Sequence, residues 1–92
     1  MRSGELEEIN ILGQLVNDWD RAQKIRKFTD ALESKVHDVE DPVLAEKLLK
    51  WIEWARDKAD WIDPLVDRED KVLGKGQNIY DIIHKFDPEK ND

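Results

Sequence analysis

Seven acidic side chains crowd the stretch from Glu53 to Asp70, and Asp60, Asp63 and Asp67 stand three and four residues apart. If Pro64 only kinks the chain, that spacing puts three carboxylates on one helical face, a set of hard oxygen ligands suited to Mg²⁺ or Ca²⁺. The alternating acidic loop of an EF-hand is missing, however, and Arg56, Lys58 and Arg68 stand ready as ion-pair partners. The cluster reads as a solvated, ion-paired face, and neither a metal nor another cofactor is expected. Hydrolysis by a carboxylate pair would also need a cleft, which so short a chain is not expected to build. His37 and His84, nearly fifty residues apart, are the only imidazoles, and Ser3 and Ser34 the only serines. Nothing in their spacing suggests a nucleophilic triad, and Gly74-Lys75-Gly76 is too short for a phosphate-binding loop. No catalytic residue is assigned, and the chain is expected not to be an enzyme.

Two sets of residues could bind rather than react. The first is the basic group Arg21, Lys24, Arg26 and Lys27, with Trp19 and Phe28 nearby. Basic side chains beside aromatics can hold single-stranded nucleic acid, and Arg21, Lys24 and Lys27 form the patch for that reading. Asp18, Asp20 and Asp30 flank the group, and ion pairing within the helix explains it as well. The net charge of −7 repels phosphate backbones. Nucleic acid is therefore the less favoured partner.

The second set is aromatic. Trp51, Trp54 and Trp61 lie on one helix, and Leu65 continues their spacing. Ala45, Leu48, Ile52, Ala55, Ala59 and Ile62 form a coiled-coil-like seam on the same helix. Trp51 falls at the edge of that seam, whereas Trp54 and Trp61 fall roughly 100–160° around from its centre, taking about 100° per residue. A single hairpin partner covers only one of the two stripes. Either the chain covers the second stripe with its N-terminal turns, Trp19 or a C-terminal helix, or part of the stripe stays open as a docking face. Trp54, Trp61, Leu65, Tyr80, Ile83 and Phe86 make up the candidate interaction surface, for a protein partner or a second copy of the chain.

The elements that position these residues are set by three Asp-Pro pairs, Asp41-Pro42, Asp63-Pro64 and Asp87-Pro88. Asp is a strong N-cap, proline suits the first helical position, and proline keeps its predecessor out of α geometry. The pairs predict helices over about 5–39, 42–62, 64–73 and 78–86, with Gly74 as a left-handed helix cap and Gly74-Lys75-Gly76 as a flexible break. In the first segment Leu6, Ile9, Leu12, Val16 and Trp19 share a face, after which Trp19, Ala22, Ile25 and Phe28 recur every three residues and the stripe rotates. One long helix is the preferred reading because no proline interrupts it; a break near Gly13 or Asn17-Asp18 is the other. The fold class is all-α: an antiparallel hairpin extended by the short helices into a three- to four-helix bundle. A single domain is expected, with 1–4 and 87–92 frayed.

The bulk composition agrees. Apolar residues at 39% and charged residues at 40% suit helices with one apolar stripe and a large solvated face each. The apolar residues are bulky and regularly spaced, which argues against disorder. Cysteine is absent, excluding disulfides and thiol chemistry, and no apolar run approaches the roughly 18 residues that span a bilayer. A cytoplasmic protein is expected, with no membrane contact.

Trp19-x-x-Ala22-x-x-Ile25-Arg26-x-Phe28 and Trp51-Ile52-x-Trp54-Ala55-Arg56-x-x-Ala59-Asp60-x-Ile62-Asp63-Pro64-Leu65 together resemble a helical module found near the C-termini of uncharacterised bacterial proteins. Some of those proteins are encoded on plasmids or mobile elements. The resemblance covers residues 19–65 and implies a helical hairpin serving as a terminal accessory module of a longer protein. It implies no activity, ligand or catalytic residue. The expected function is a non-enzymatic protein-interaction or self-association module. The alternative is an accessory domain of a DNA-processing or mobile-element protein that touches nucleic acid through Arg21, Lys24 and Lys27.

Overall fold

The computed structural model describes residues 3–76 and 78–86, with backbone alone for Ser3 and residues 84–86. Of the ends expected to fray, 1–4 and 87–92, residues 1–2 and 87–92, with Asp87-Pro88, lie outside the described residues, whereas Ser3 and Gly4 belong to a helix. The order is α1 (Ser3–Val36), α2 (Pro42–Ile62), β1 (Glu69–Asp70), β2 (Gly74–Lys75) and α3 (Ile79–Phe86).

α1 runs unbroken through Gly13 and Asn17-Asp18 for 34 residues. It stops at Val36, three residues short of the expected end, because the chain tightens into two successive turns. Asp38 N–H donates to the Lys35 carbonyl and Val39 N–H to the Val36 carbonyl, both at 3.0 Å, the short-range bonds that often close a helix. α2 begins as the Asp-Pro pair predicts. Asp41 is extended (φ −76°, ψ 111°) and its carboxylate accepts from Val43 N–H at 3.0 Å, with Pro42 at the first helical position. At the far end Asp63 is again extended (φ −64°, ψ 115°), as a residue before proline must be.

The two long helices pack against each other as an antiparallel hairpin. Ala22, Thr29 and Val36, seven residues apart on α1, meet Ile52, Ala55 and Ala59 of α2, and all six are buried. The alanines bring the backbones close, as the seam predicts. Thr29 is tolerated there because its hydroxyl donates to the Arg26 carbonyl at 2.9 Å, so no buried polar group is left unpaired.

Length mismatch shapes the rest. At about 1.5 Å per residue, α1 is roughly 20 Å longer than α2, and the molecule measures 63 × 24 × 18 Å. The N-terminal turns of α1 outrun α2, and among the described residues they line apolar depressions with α3, Pro64 and Leu65.

The helix expected over 64–73 does not form. In its place β1 and β2 pair antiparallel, Glu69 opposite Lys75 and Asp70 opposite Gly74. Side-chain carboxylates take the backbone N–H groups that a helix would have used. Asp63 accepts from Leu65 N–H at 2.9 Å, and one oxygen of Asp70 accepts from Val72 N–H at 2.8 Å and Leu73 N–H at 3.0 Å. Such local bonds favour turns over helix. Gly74 does take the left-handed φ (80°) expected of it, but it closes the strand turn rather than a helix. The expected flexible break at Gly74-Lys75-Gly76 is likewise replaced by β2 and a close contact: a Cβ on Gly76 would sit 2.4 Å from the Trp61 carbonyl oxygen. With no helix over 64–73, and helix–helix packing dominated by α1 against α2, the described residues form a hairpin with a strand pair and one short helix rather than a three- to four-helix bundle.

α3 starts at Ile79, within one residue of the expected start. Asn78, 1% exposed, accepts from Asp81 N–H at 3.0 Å and returns a bond to the Asp81 carboxylate at 3.0 Å. Ile79 N–H donates to the Pro64 carbonyl at 2.7 Å, tying the start of α3 to the exit of α2.

Gly76→Ala is expected to lower stability by about 1–3 kcal/mol, read by thermal unfolding. A red shift in tryptophan emission should accompany the loss as the strand pair lifts from Trp61.

Candidate interaction surface

Trp61 and Trp54, seven residues apart on one flank of α2, meet different fates. Trp61 is half-buried under the strand pair, and its indole N–H donates to the Gly74 carbonyl at 2.8 Å. Neither Trp19 nor α3, both among the expected covers, supplies that bond; the strand pair does. Trp54 is 54% exposed. Its ring lies 6.1 Å from that of Trp51, tilted by 39°, and Trp51 meets Phe28 of α1 edge-on at 6.4 Å.

Phe28, Trp51 and Trp54 are the walls of a groove of about 420 Å³ between α1 and α2, with Ile25, Ala55 and Ile62 as its floor and Lys24 and Lys58 at its rim. The spacing places Phe28 on the core stripe, yet it is 59% exposed. The rotation visible in that same spacing explains the difference: three steps of three from Trp19 carry the stripe about 180° around the helix. Trp51, an edge residue of the seam by its position in sequence, also stands half in water. No arithmetic on one helix shows that these two edges meet across the hairpin.

The other members of the expected surface lie elsewhere. Leu65, exposed, lines a separate apolar depression with Pro64, Val16, Trp19 and Ile79. Tyr80 and Ile83 are exposed on α3, and Ile83 faces the N-terminal turns of α1 across another groove. The Phe86 and His84 side chains lie outside the described residues. The expected surface is therefore two surfaces: an aromatic groove in the hairpin, and an apolar strip shared by α1, Leu65 and α3.

The opposite flank of the hairpin is polar and already occupied. Arg26 donates to Asp63 at 2.7 Å and to Asp60 at 2.8 Å. Burial works against its charge, but the two carboxylates outweigh that cost and hold its pKa above the ordinary value. Arg56 of α2 reaches back to Asp30 at 2.8 Å and Glu33 at 3.3 Å on α1. Asp60, Asp63 and Asp67 do not share one helical face: Asp60 and Asp63 pair with Arg26, while Asp67 pairs with Lys75 at 3.5 Å. Among the described residues, no group of three or more His, Asp or Glu is placed to hold a metal.

Of the candidate nucleic-acid patch, Arg21, Lys24 and Lys27 are all exposed on α1, and Lys24 pairs with Asp20 at 3.0 Å, one turn away. Arg26, their neighbour in sequence, is withdrawn into the hairpin. His37 is exposed just past the end of α1.

The strand pair is held to α2 by charge. Lys58 donates to Asp70, and Arg68 pairs with Asp57. The Lys58 bond, then the Leu73 and Val72 amides, keep the Asp70 carboxyl well below the usual carboxylate range. Lys75 bridges onward to Asp81 of α3 at 3.1 Å, which with Asp67 raises its pKa.

No protein-family model matches this chain, and neither a curated protein nor a solved structure matches it. Among the described residues, no helix is long and apolar enough to cross a membrane.

Because Asp70 is held ionised, its stabilising effect is fully present above the free carboxylate value of about 3.9. It fades as pH falls through that value toward the lower folded one. Asp70→Asn should therefore unfold at a lower temperature than the parent at pH 7, and the gap should close as pH drops below about 4.

Proposed function

We propose that the chain is a non-enzymatic docking module that receives an amphipathic helix of a partner protein in the Phe28/Trp51/Trp54 groove. The observation that carries this reading is the pair of half-exposed indoles over an apolar floor. Large aromatics left in water lose about 2–3 kcal/mol each relative to burial, and Trp residues are the usual anchors of protein interfaces. A groove between two helices suits a third helix, as in helix-in-groove recognition. The resemblance over residues 19–65 supports placing the module as an accessory domain of a larger bacterial protein in the cytoplasm. Leu65, Tyr80 and Ile83 then belong to a second contact area.

The second reading, a domain that contacts nucleic acid, draws on the exposed Arg21, Lys24 and Lys27. The net charge of −7 opposes it, and Asp20 already engages Lys24.

Affinity capture from a bacterial extract, followed by titration of the recovered partner, separates the two. Trp54→Ala should weaken binding by about 30-fold, corresponding to roughly 2 kcal/mol at an aromatic anchor, while Arg21→Glu should leave it within about threefold. Salt-dependent oligonucleotide binding that Arg21→Glu abolishes and Trp54→Ala spares would select nucleic acid instead.

A further inference from the structure

The chain between Pro64 and Ile79 is held down by a different kind of contact from the hairpin it lies on. Of residues 65–76, only Asp70 is buried. The large apolar side chains of the segment stand in water, Leu65 at 53%, Leu73 at 54% and Val72 at 90% exposure. Buried apolar surface is the main force that keeps an element folded, and this segment supplies little of it. The helix beneath is the opposite case, with Ile52, Ala55 and Ala59 of α2 at 5% exposure or less.

The ties of the segment are polar. Lys58 of α2 donates to Asp70, Arg68 reaches back to Asp57, and the Trp61 indole donates to the Gly74 carbonyl at 2.8 Å. On the far side Lys75 meets Asp81 of α3 at 3.1 Å, an exposed pair of the kind that contributes little. Segments with few buried apolar contacts open at a lower free energy than the core beside them.

Both ends of the segment are pinned to each other. Ile79 N–H donates to the Pro64 carbonyl at 2.7 Å, and Asp63, Pro64 and Asn78 around that bond are buried. A loop closed at its neck is a compact unit of its own. It can lift from α2 without unwinding the helices on either side.

Lys58 belongs to two places at once. Its side chain lies at the rim of the Phe28/Trp51/Trp54 groove, with Asp57 at 3.7 Å, and it also pairs with Asp70. Asp70 gives its other oxygen to the Val72 and Leu73 amides. Removing the ammonium therefore strips a nearly buried carboxylate of the cation that pairs with it, a costly arrangement, at the very residue that shapes the turn.

We propose that residues 65–76 form a latched cover over Trp61, which opens as a unit while the hairpin stays folded, with the Lys58–Asp70 pair as its latch. Closed, the cover withdraws Trp61 from the aromatic flank of α2. Open, it returns Trp61 to the flank that carries Trp54 and frees Lys58 at the rim of the groove. The surface offered to a partner then grows from Phe28, Trp51 and Trp54 to include Trp61. That consequence rests on the reading of the groove as a docking site; the latch does not.

Hydrogen exchange followed by NMR on the full chain reads the cover directly. The Trp61 indole N–H is protected by the Gly74 carbonyl, and the Val72 and Leu73 amides by Asp70. These protons should be at least about 100-fold less protected than the amides of Ile52, Ala55 and Ala59. Lys58→Met keeps the length of the side chain without its charge. It should lower protection at Trp61, Val72 and Leu73 by about tenfold, the scale of one hydrogen bond to a charged group, and leave the α2 amides within about twofold. Lys58→Arg, which retains a cation, should restore most of the protection. Equal protection of cover and α2 in the parent overturns the proposal, because the segment then opens only when the hairpin unfolds. So does a Lys58→Met variant whose Trp61 indole keeps its protection, or one in which cover and α2 lose protection together. No partner enters this measurement. A Trp54→Ala variant with unchanged capture would sink the groove reading and leave the cover standing, whereas a cover that opens only with the hairpin leaves the groove reading intact.

Discussion

Asp63 is the point through which the hairpin, the strand pair and α3 are joined. Only 4% exposed, its carboxylate accepts from Arg26 of α1 through one oxygen and from the Leu65 amide through the other. The first bond ties the end of α2 to α1. The second turns the chain away from α2 as soon as the helix stops. Such a carboxylate is tolerated in a nearly dry position because both oxygens are engaged and the Arg26 charge is close. Pro64 comes next, buried, and its carbonyl receives the first amide of α3.

The segment after Asp63 is governed by carboxylates more than by hydrophobic period. Asp70 serves two amides with one oxygen and Lys58 with the other, so it both nucleates the turn and fastens it to α2. Gly76 completes the fit, since the backbone there lies against the Trp61 carbonyl with no room for a side chain. A two-residue strand pair would not persist in water by itself. It persists here because a lysine and an indole N–H anchor it to a helix that is already packed.

The hairpin core is small and built largely of alanine, threonine and valine on one side and alanine and isoleucine on the other. Small side chains let α1 and α2 approach closely, but they leave the larger aromatics at the edges of the seam. Phe28, Trp51 and Trp54 therefore gather beside the core instead of within it. The excess length of α1 has a parallel effect at the other end, where apolar side chains extend beyond the reach of α2. Both exposed surfaces have one origin, a narrow seam between helices of unequal length.

Much of this is legible in the chain. Asp41-Pro42 and Asp63-Pro64 set both ends of α2, because capping and the proline constraint are local effects that need no partner. The alanine seam points to the hairpin, and Asn78 opens α3 as its position suggests. The 64–73 segment misleads because Pro64 and the residues after it are compatible with a helix. Only the placement of Lys58 and Trp61 on a packed α2 rewards the turn that Asp70 makes. Arg26 looks like one member of a basic patch until the hairpin register brings Asp60 and Asp63 beside it. The division of the tryptophans, Trp61 covered and Trp54 open, likewise depends on where a strand pair with no strong signal of its own comes to rest. Sequence alone determined that two long helices form a hairpin, and both ends of α2, since capping and the proline constraint act within a turn. Tertiary structure decided which aromatic and charged side chains remain free to bind, because that depends on contacts between residues far apart in the chain.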